Sequence, residues 1–112
     1  MIEQDASAFA QLQASKAVLG ASGATLVNGD ALAWLARQGE GATFDVAFLD
    51  PPFSDNLLQG ALTLLSRGTL LAADGLIYVE TAANHPLTPP GGWHIVREKT
   101  SGGVHCQLLR RD

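Results

Sequence analysis

One cysteine, one methionine and one tyrosine stand among 112 residues, and only 16% of positions carry charge. With Cys106 alone, no internal disulfide closes and no thiolate cluster can hold a metal, so Cys106 reads as an ordinary strand residue. No stretch approaches the about 18 uninterrupted apolar residues that a membrane helix needs. No basic segment precedes an apolar one at the amino end, and the expectation is a cytoplasmic protein with no membrane partner. Basic side chains are scarce, seven against eleven acids, for a net charge of −4. A polyanion repels such a chain at long range, which makes these residues alone a poor fit for tight nucleic-acid binding. What is abundant is apolar: 46% hydrophobic residues suffice for a core, and this length predicts a single domain over residues 1–112, without repeat or linker.

The apolar residues are ordered into alternating elements. Asp5 caps a helix whose Phe9, Leu12, Lys16 and Leu19 recur at three- and four-residue spacing until Gly20 stops it. Ala24 to Asn28 reads as a short buried strand, and Gly29 and Asp30 turn the chain into a helix from Ala31 to Gln38. "FDVAFL", Phe44 to Leu49, is the near-continuous apolar run of a central parallel strand covered on both faces. A third helix runs from Asp55 to Arg67 and ends at Gly68, with Leu57, Leu58, Ala61, Leu64 and Leu65 inward. Gly75 to Glu80 makes another strand, and a proline-rich loop follows over residues 81–92. "WHIVREKT" and "VHCQLLRR" flank Ser-Gly-Gly as an antiparallel hairpin. The pattern predicts an α/β fold of three layers, its sheet mostly parallel with a carboxyl-terminal antiparallel hairpin.

One corner stands apart chemically. In open α/β sheets ligands sit beyond the carboxyl ends of the strands, where Asp50 falls. Pro51 keeps Asp50 extended, and Pro51 and Pro52 fix two successive φ angles while removing two backbone donors. What remains is a stiff wall of acceptors: the Asp50 carboxylate and the carbonyls of Asp50 and Pro51. An amino group on a nucleobase has two N–H donors and a lone pair delocalised into the ring, so it is a weak nucleophile. Two hydrogen bonds to such a wall would aim the nitrogen and favour its lone pair leaving the ring plane. Phe53 would stack on the base, at about 1–3 kcal/mol in single-strand binders. The plain alternative is a rigid turn whose aspartate caps the next helix.

"DPPF", Asp50 to Phe53, resembles the (Asp/Asn)-Pro-Pro-(Phe/Tyr) motif of S-adenosylmethionine-dependent amino-group methyltransferases. With "LIYVE" (Leu76 to Glu80) and "WHIVREKTSGGVHCQLLRR", the whole chain is similar to the bacterial enzymes that modify guanine N2 in 16S ribosomal RNA. The resemblance implies a Rossmann-like methyltransferase sheet and S-adenosylmethionine as cofactor. Its partner would be 16S rRNA or a small-subunit assembly particle. It places Asp50, Pro51, Pro52 and Phe53 at the catalytic corner. It implies that Glu3 accepts hydrogen bonds from the cofactor ribose, that Asp30 and Ala31 lie beside its adenine, and that Asp50 borders the cofactor as well. Each acid also has a simpler reading, Glu3 as a charge before a helix N-terminus and Asp30 as an N-cap.

The family's first strand and glycine-rich turn are not matched: Gly20–Thr25 and Gly39–Ala42 precede strands instead of following one. In the family that strand lies centrally, so the 112 residues resemble the carboxyl-terminal two thirds of such a domain. As a truncated chain they are expected to be inactive or to bind cofactor weakly, and their incomplete sheet would favour self-association.

A second class competes. Response-regulator receiver domains resemble the first half, with Glu3 and Asp5 as acids and Asp50 as phosphoacceptor. Against this, Lys99 is followed by Thr100 instead of proline, and the Asp-Pro-Pro corner lacks the N–H groups a phosphoryl group wants. A third reading is a non-catalytic module that self-associates through the sheet edge. His85, His94 and His105 do not converge into a metal site, since the hairpin register puts His105 near Glu98. Trp34 reads as core. Trp93 packs at the edge or lines a cleft, and Arg97, Lys99, Arg110 and Arg111 either form a solvated edge, the default, or touch RNA phosphates.

Overall fold

A computed structural model describes residues 1–37, 43–50, 55–67 and 70–112, and within the third stretch the side chains of residues 58–66. Two compact units make up the chain, Met1–Arg37 and Gln38–Asp112.

The first unit holds β1 (Ile2–Glu3), α1 (Ala6–Leu19), β2 (Val27–Asn28) and α2 (Ala31–Arg37). The Asp5 carboxylate accepts the Ala8 N–H at 3.0 Å and starts α1, a cap whose loss costs about 1 kcal/mol. Gly20, at φ 65°, takes the left-handed conformation that ends it. The strands are parallel, with Ile2 opposite Val27 and Glu3 opposite Asn28. The strand expected over Ala24–Asn28 therefore shortens to two residues, because β1 offers only two partners. The expected apolar face of α1 is shallow: Phe9, Leu12 and Lys16 are half-buried, while Leu19 is 79% exposed. Trp34 is likewise half-buried, not core.

The second unit is a four-stranded sheet, β3 (Phe44–Leu49), β4 (Leu71–Ala82), β5 (Trp93–Ser101) and β6 (Val104–Arg111), with α3 (Asp55–Arg67). Its order is β3-β4-β6-β5; β3 and β4 pair in parallel, and β6 runs antiparallel to both β4 and β5. Alternation in β4 and β6 puts Ile77, Val79, Leu109 and Gln107 on one face, Ile77 opposite Leu109 and Val79 opposite Gln107. On α3, Leu58, Ala61, Leu62 and Leu65 follow the helical period and are all buried. Each fully buried aliphatic side chain contributes about 1.5–3 kcal/mol. The Arg111 guanidinium joins helix to sheet, donating to the Leu65 carbonyl at 3.3 Å and the Leu71 carbonyl at 3.4 Å. It also lies 5.1 Å from the ring centre of Trp93, which is buried. Arg111 thus leaves the solvated edge expected for it, whereas Arg97, Lys99 and Arg110 remain exposed.

Two expectations need correction. β3 is an edge strand of its sheet, and Phe44, Val46 and Phe48 on one of its faces are 47%, 39% and 75% exposed. An apolar run records affinity for burial, not whether a neighbour is present to provide it. β4 is also longer than Gly75–Glu80: it begins at Leu71, and the ladder to β3 jumps from Phe44 opposite Leu71 to Val46 opposite Leu76. The extra residues bulge between Leu71 and Leu76, and within them Asp74 and Gly75, a turn-like pair, mask the strand's first half in the sequence.

Because β4 and β5 point the same way with β6 between them, the ten residues from Ala83 to Gly92 must return the length of the sheet. Ten residues reach at most about 35 Å, so this crossover runs extended, which its three prolines favour. At the hairpin, Gly102 adopts φ 59° in the turn expected for Ser-Gly-Gly. No helix among the described residues is long and apolar enough to cross a membrane.

The bulge yields a stability prediction. A Cβ on Gly75 would stand 2.7 Å from Leu71 Cγ and 2.9 Å from the Ala72 carbonyl oxygen. Gly75→Ala should destabilise by about 1–3 kcal/mol in urea denaturation. Gly91→Ala, which meets nothing within 4 Å, should stay within about 0.5 kcal/mol of the parent.

Candidate functional site

The carboxyl ends of the parallel strands gather the polar residues. In the first unit, Glu3 closes β1 and Asn28 closes β2 beside it, and the Gly29 N–H donates to the Glu3 carbonyl at 3.0 Å. One oxygen of Glu3 accepts the Asp5 N–H at 3.1 Å, and one of Asp30 accepts the Ala33 N–H at 3.0 Å. Both simpler readings of these acids are thus realised, yet each keeps a second oxygen without a partner among the described residues. Ala31 opens α2 and is exposed. A hollow of about 650 Å³ lies elsewhere in this unit, between the second half of α1 and residues 20–26. It sits at the amino ends of the strands, is open to solvent, and Lys16 is its only charged residue. Its position and lining argue against it as the chemical site.

In the second unit the parallel ladder carries Leu49 opposite Val79, so Asp50 emerges next along from Glu80. Asp50 is exposed at the carboxyl end of β3, as expected. Pro51, Pro52 and Phe53 lie outside the described residues. The ladder brings together two carboxylates, on β3 and β4, of which sequence reading singled out only one. Glu80 accepts the Tyr78 hydroxyl at 2.9 Å, and the Phe48 and Tyr78 rings lie 5.6 Å apart on the same face. The period-two spacing of Tyr78 and Glu80 was the available signal. The Cys106 thiol foremost, then the Glu80 carboxylate, hydrogen-bond the Tyr78 phenol and hold it protonated well above the usual tyrosine range.

Two of the histidines are engaged locally, whereas His85 stands exposed in the turn that follows β4. His94 Nδ1 is 2.7 Å from Asp112, while His105 lies 2.6 Å from the Thr100 hydroxyl and 3.1 Å from Glu98, the neighbour its register predicted. Trp93 is buried beneath Arg111, which selects edge packing over cleft lining.

The comparisons with known proteins concern nearly the whole chain. The family model described as Conserved hypothetical protein 95 matches residues 1–110. Ribosomal RNA small subunit methyltransferase D of Escherichia coli K12 is 37% identical over 113 residues, covering 100% of this chain and 56% of the relative. Its Haemophilus influenzae namesake is 40% identical over 87 residues, 78% of this chain and 45% of the relative. The chain thus spans about half the length of these curated relatives. The solved structure of yhhF from Escherichia coli superposes with a TM-score of 0.87 at 38% identity, over 99% of this chain and 62% of that one. HI0767 from Haemophilus influenzae gives 0.83 at 36% identity, over 98% and 70%. The α/β methyltransferase fold is thereby shown, and the receiver alternative falls. Its alternating helices and strands are also missing after β4, where a crossover and a hairpin stand instead.

Tyr78 is the only tyrosine, so its ionisation can be read directly. Ultraviolet difference titration should show a midpoint well above about 10 in the folded protein, returning to about 10 in denaturant. The unfolded chain then releases this proton first, so the tyrosine's contribution to stability is complete below about pH 10 and declines as pH rises beyond it. A folded-state midpoint at the ordinary value would contradict the Cys106 and Glu80 contacts.

Proposed function

The chain belongs to the family described as Conserved hypothetical protein 95, alongside the relatives named ribosomal RNA small subunit methyltransferase D, and on that premise we propose that the protein methylates the N2 amino group of a guanine in 16S rRNA. The carrying observation is the exposed Asp50 at the carboxyl end of β3, opening an Asp-Pro-Pro-Phe corner beside Glu80 on the adjacent strand. We take residues 1–112 as one domain corresponding to the carboxyl-terminal part of a methyltransferase, acting in the cytoplasm on 16S rRNA or a small-subunit assembly particle.

The donor set fits S-adenosylmethionine. Glu3 and Asp30 present carboxylate oxygens at the ends of adjacent parallel strands, the first suited to a ribose diol and the second, next to Ala31, to the adenine amino group. The bound cofactor supplies an electrophilic methyl group. Asp50 accepts one N–H of the guanine amino group, and the Pro51 carbonyl accepts the other, so the nitrogen lone pair is turned toward the methyl carbon. Phe53 stacks on the base and keeps its plane fixed. With the cofactor bound, the methyl group would pass from its sulfonium sulfur to the nitrogen, the S–C bond breaking to leave a neutral thioether. The Asp50 carboxylate would stabilise the cationic nitrogen and take the proton it sheds. Neither proline can donate a hydrogen bond, which leaves these acceptors free for the amine.

In the full-length protein, Asp50→Ala should lower kcat by about 100-fold or more while calorimetry shows cofactor affinity retained. The 112 residues alone should give weak cofactor binding or none in the same titration. Near-native turnover of the variant would remove Asp50 from catalysis, and micromolar binding by the short chain would overturn the second expectation.

A second reading, self-association, is favoured by the exposed apolar face of β3. The edge of β3 has no strand beside it among the described residues, and a second chain packed against this face would cover Phe44, Val46 and Phe48. Light scattering should then report twice the 11.7 kDa chain mass, and Phe48→Lys should return it to a monomer.

A further inference from the structure

Gln107 is the one buried polar side chain among the described residues, 1% exposed, on the apolar face of β6. A lone amide there costs free energy unless both its ends are bonded. Both are, and to a single partner. Its Oε1 accepts the Leu87 N–H at 2.9 Å, and its Nε2 donates to the Leu87 carbonyl at 2.9 Å. The side chain thus mimics one rung of a β-ladder, and Leu87, 7% exposed, seats its own side chain in the core at the same point. This fastening grips the middle of the extended crossover between β4 and β5.

A second fastening lies four residues earlier. The Ala83 N–H donates to the Gly103 carbonyl at 2.9 Å, and the His85 N–H closes a turn on the Ala82 carbonyl at 2.9 Å. Between the two fixed points, Ala83 and Leu87, stand Asn84, His85 and Pro86. This turn follows directly on the carboxyl end of β4, the strand beside the one that delivers Asp50. Asn84 and His85 are exposed, and their side chains make no hydrogen bond among the described residues. An amide and an imidazole held at that end are the groups suited to base edges and to a base face.

We propose that the turn Ala83–Pro86 is a substrate-reading element in which Asn84 and His85 touch the RNA, and that Gln107 is a positioning residue acting through Leu87. This rests on the rRNA methyltransferase reading. It assigns residues outside the Asp-Pro-Pro-Phe corner and concerns recognition of the nucleic acid instead of transfer of the methyl group. Exposed polar residues on a loose ten-residue crossover would lose conformational freedom on every encounter with RNA. A crossover pinned at Ala83 and Leu87 has lost that freedom already.

The test uses the full-length protein with 16S rRNA and its assembly particle as substrates. The Asn84→Ala/His85→Ala double variant should raise KM for RNA about tenfold, with kcat within about twofold and cofactor affinity unaltered. Gln107→Met removes both hydrogen bonds at similar volume. It should raise the RNA KM in the same way and speed hydrogen exchange at the Leu87 amide by about tenfold or more. Ile77→Val, buried on the same face, serves as the stability control: it should lower the melting temperature without moving KM. A native KM in the double variant overturns the reading role. Equal changes in KM for Gln107→Met and Ile77→Val at matched stability overturn the positioning role. If the parent protein transfers no methyl group to RNA, this proposal falls together with the function it rests on; an active parent with indifferent variants sinks this proposal alone.

Discussion

The double pairing of β4 is the constraint on which the second unit depends. Its backbone is shared between a parallel ladder to β3 and an antiparallel ladder to β6, and its Ile77 and Val79 have no exposed surface. A parallel partner must leave from the same end of the sheet, so the ladder that buries Ile77 also delivers Asp50 and Glu80 side by side. Slipping that register by one residue would turn Ile77 and Val79 outward and carry the carboxylates out of step. Core formation and site formation are therefore one event in this part of the chain. The acid pair is held in place by apolar burial it does not itself contribute to.

Where local chemistry decides an element, the sequence was readable. Asp5 and Gly20 bound α1 because a carboxylate satisfies a free N–H and glycine tolerates the left-handed conformation. The bounds of α3, Asp55–Arg67, followed from its period, and the hairpin followed from Ser-Gly-Gly between alternating strands. What escaped was non-local. Phe44 to Leu49 looked like a doubly covered strand, and nothing in those six residues records which neighbours stand beside them. Arg111 looked like one more surface cation, yet its guanidinium spans Trp93 and two backbone carbonyls 40 and 46 residues away. Of the candidate site, Glu3, Asp30 and Asp50 were legible by motif and by position at strand ends. Glu80 required the ladder, and Gln107 required the knowledge that Leu87 folds back over it.

Exposure is distributed unevenly. The α3 face of the sheet is closed by Leu58, Leu62 and Leu65, whereas Phe48, on the other face, is 75% exposed beside the half-buried Tyr78. Soluble folds rarely leave several large apolar side chains of one strand in water. The first unit behaves alike: Val18 and Leu19 of α1 are 86% and 79% exposed, and no residue of that helix is buried. With β1 and β2 only two residues long, little hydrogen bonding holds that unit together, so Asp5 and Gly20 matter more there than caps do on a helix packed over a broad sheet.

The charge distribution separates two tasks that a nucleic-acid methyltransferase must reconcile. On the proposed function, aiming an amine at a methyl group calls for acceptors, and the strand ends offer Asp50 and Glu80. Holding a phosphate backbone, which those carboxylates repel, calls for cations. With Arg111 occupied in packing, Arg97, Lys99 and Arg110 are the exposed cations of the second unit's hairpin, against a net charge of −4 for the chain. On the proposed function, these three hairpin cations would contribute only a shallow salt dependence. On the proposed function, the polar turn Ala83–Pro86 matters for that reason. Recognition through an amide and an imidazole needs no positive charge, so it can operate beside the carboxylates without neutralising the acceptors that the chemistry requires.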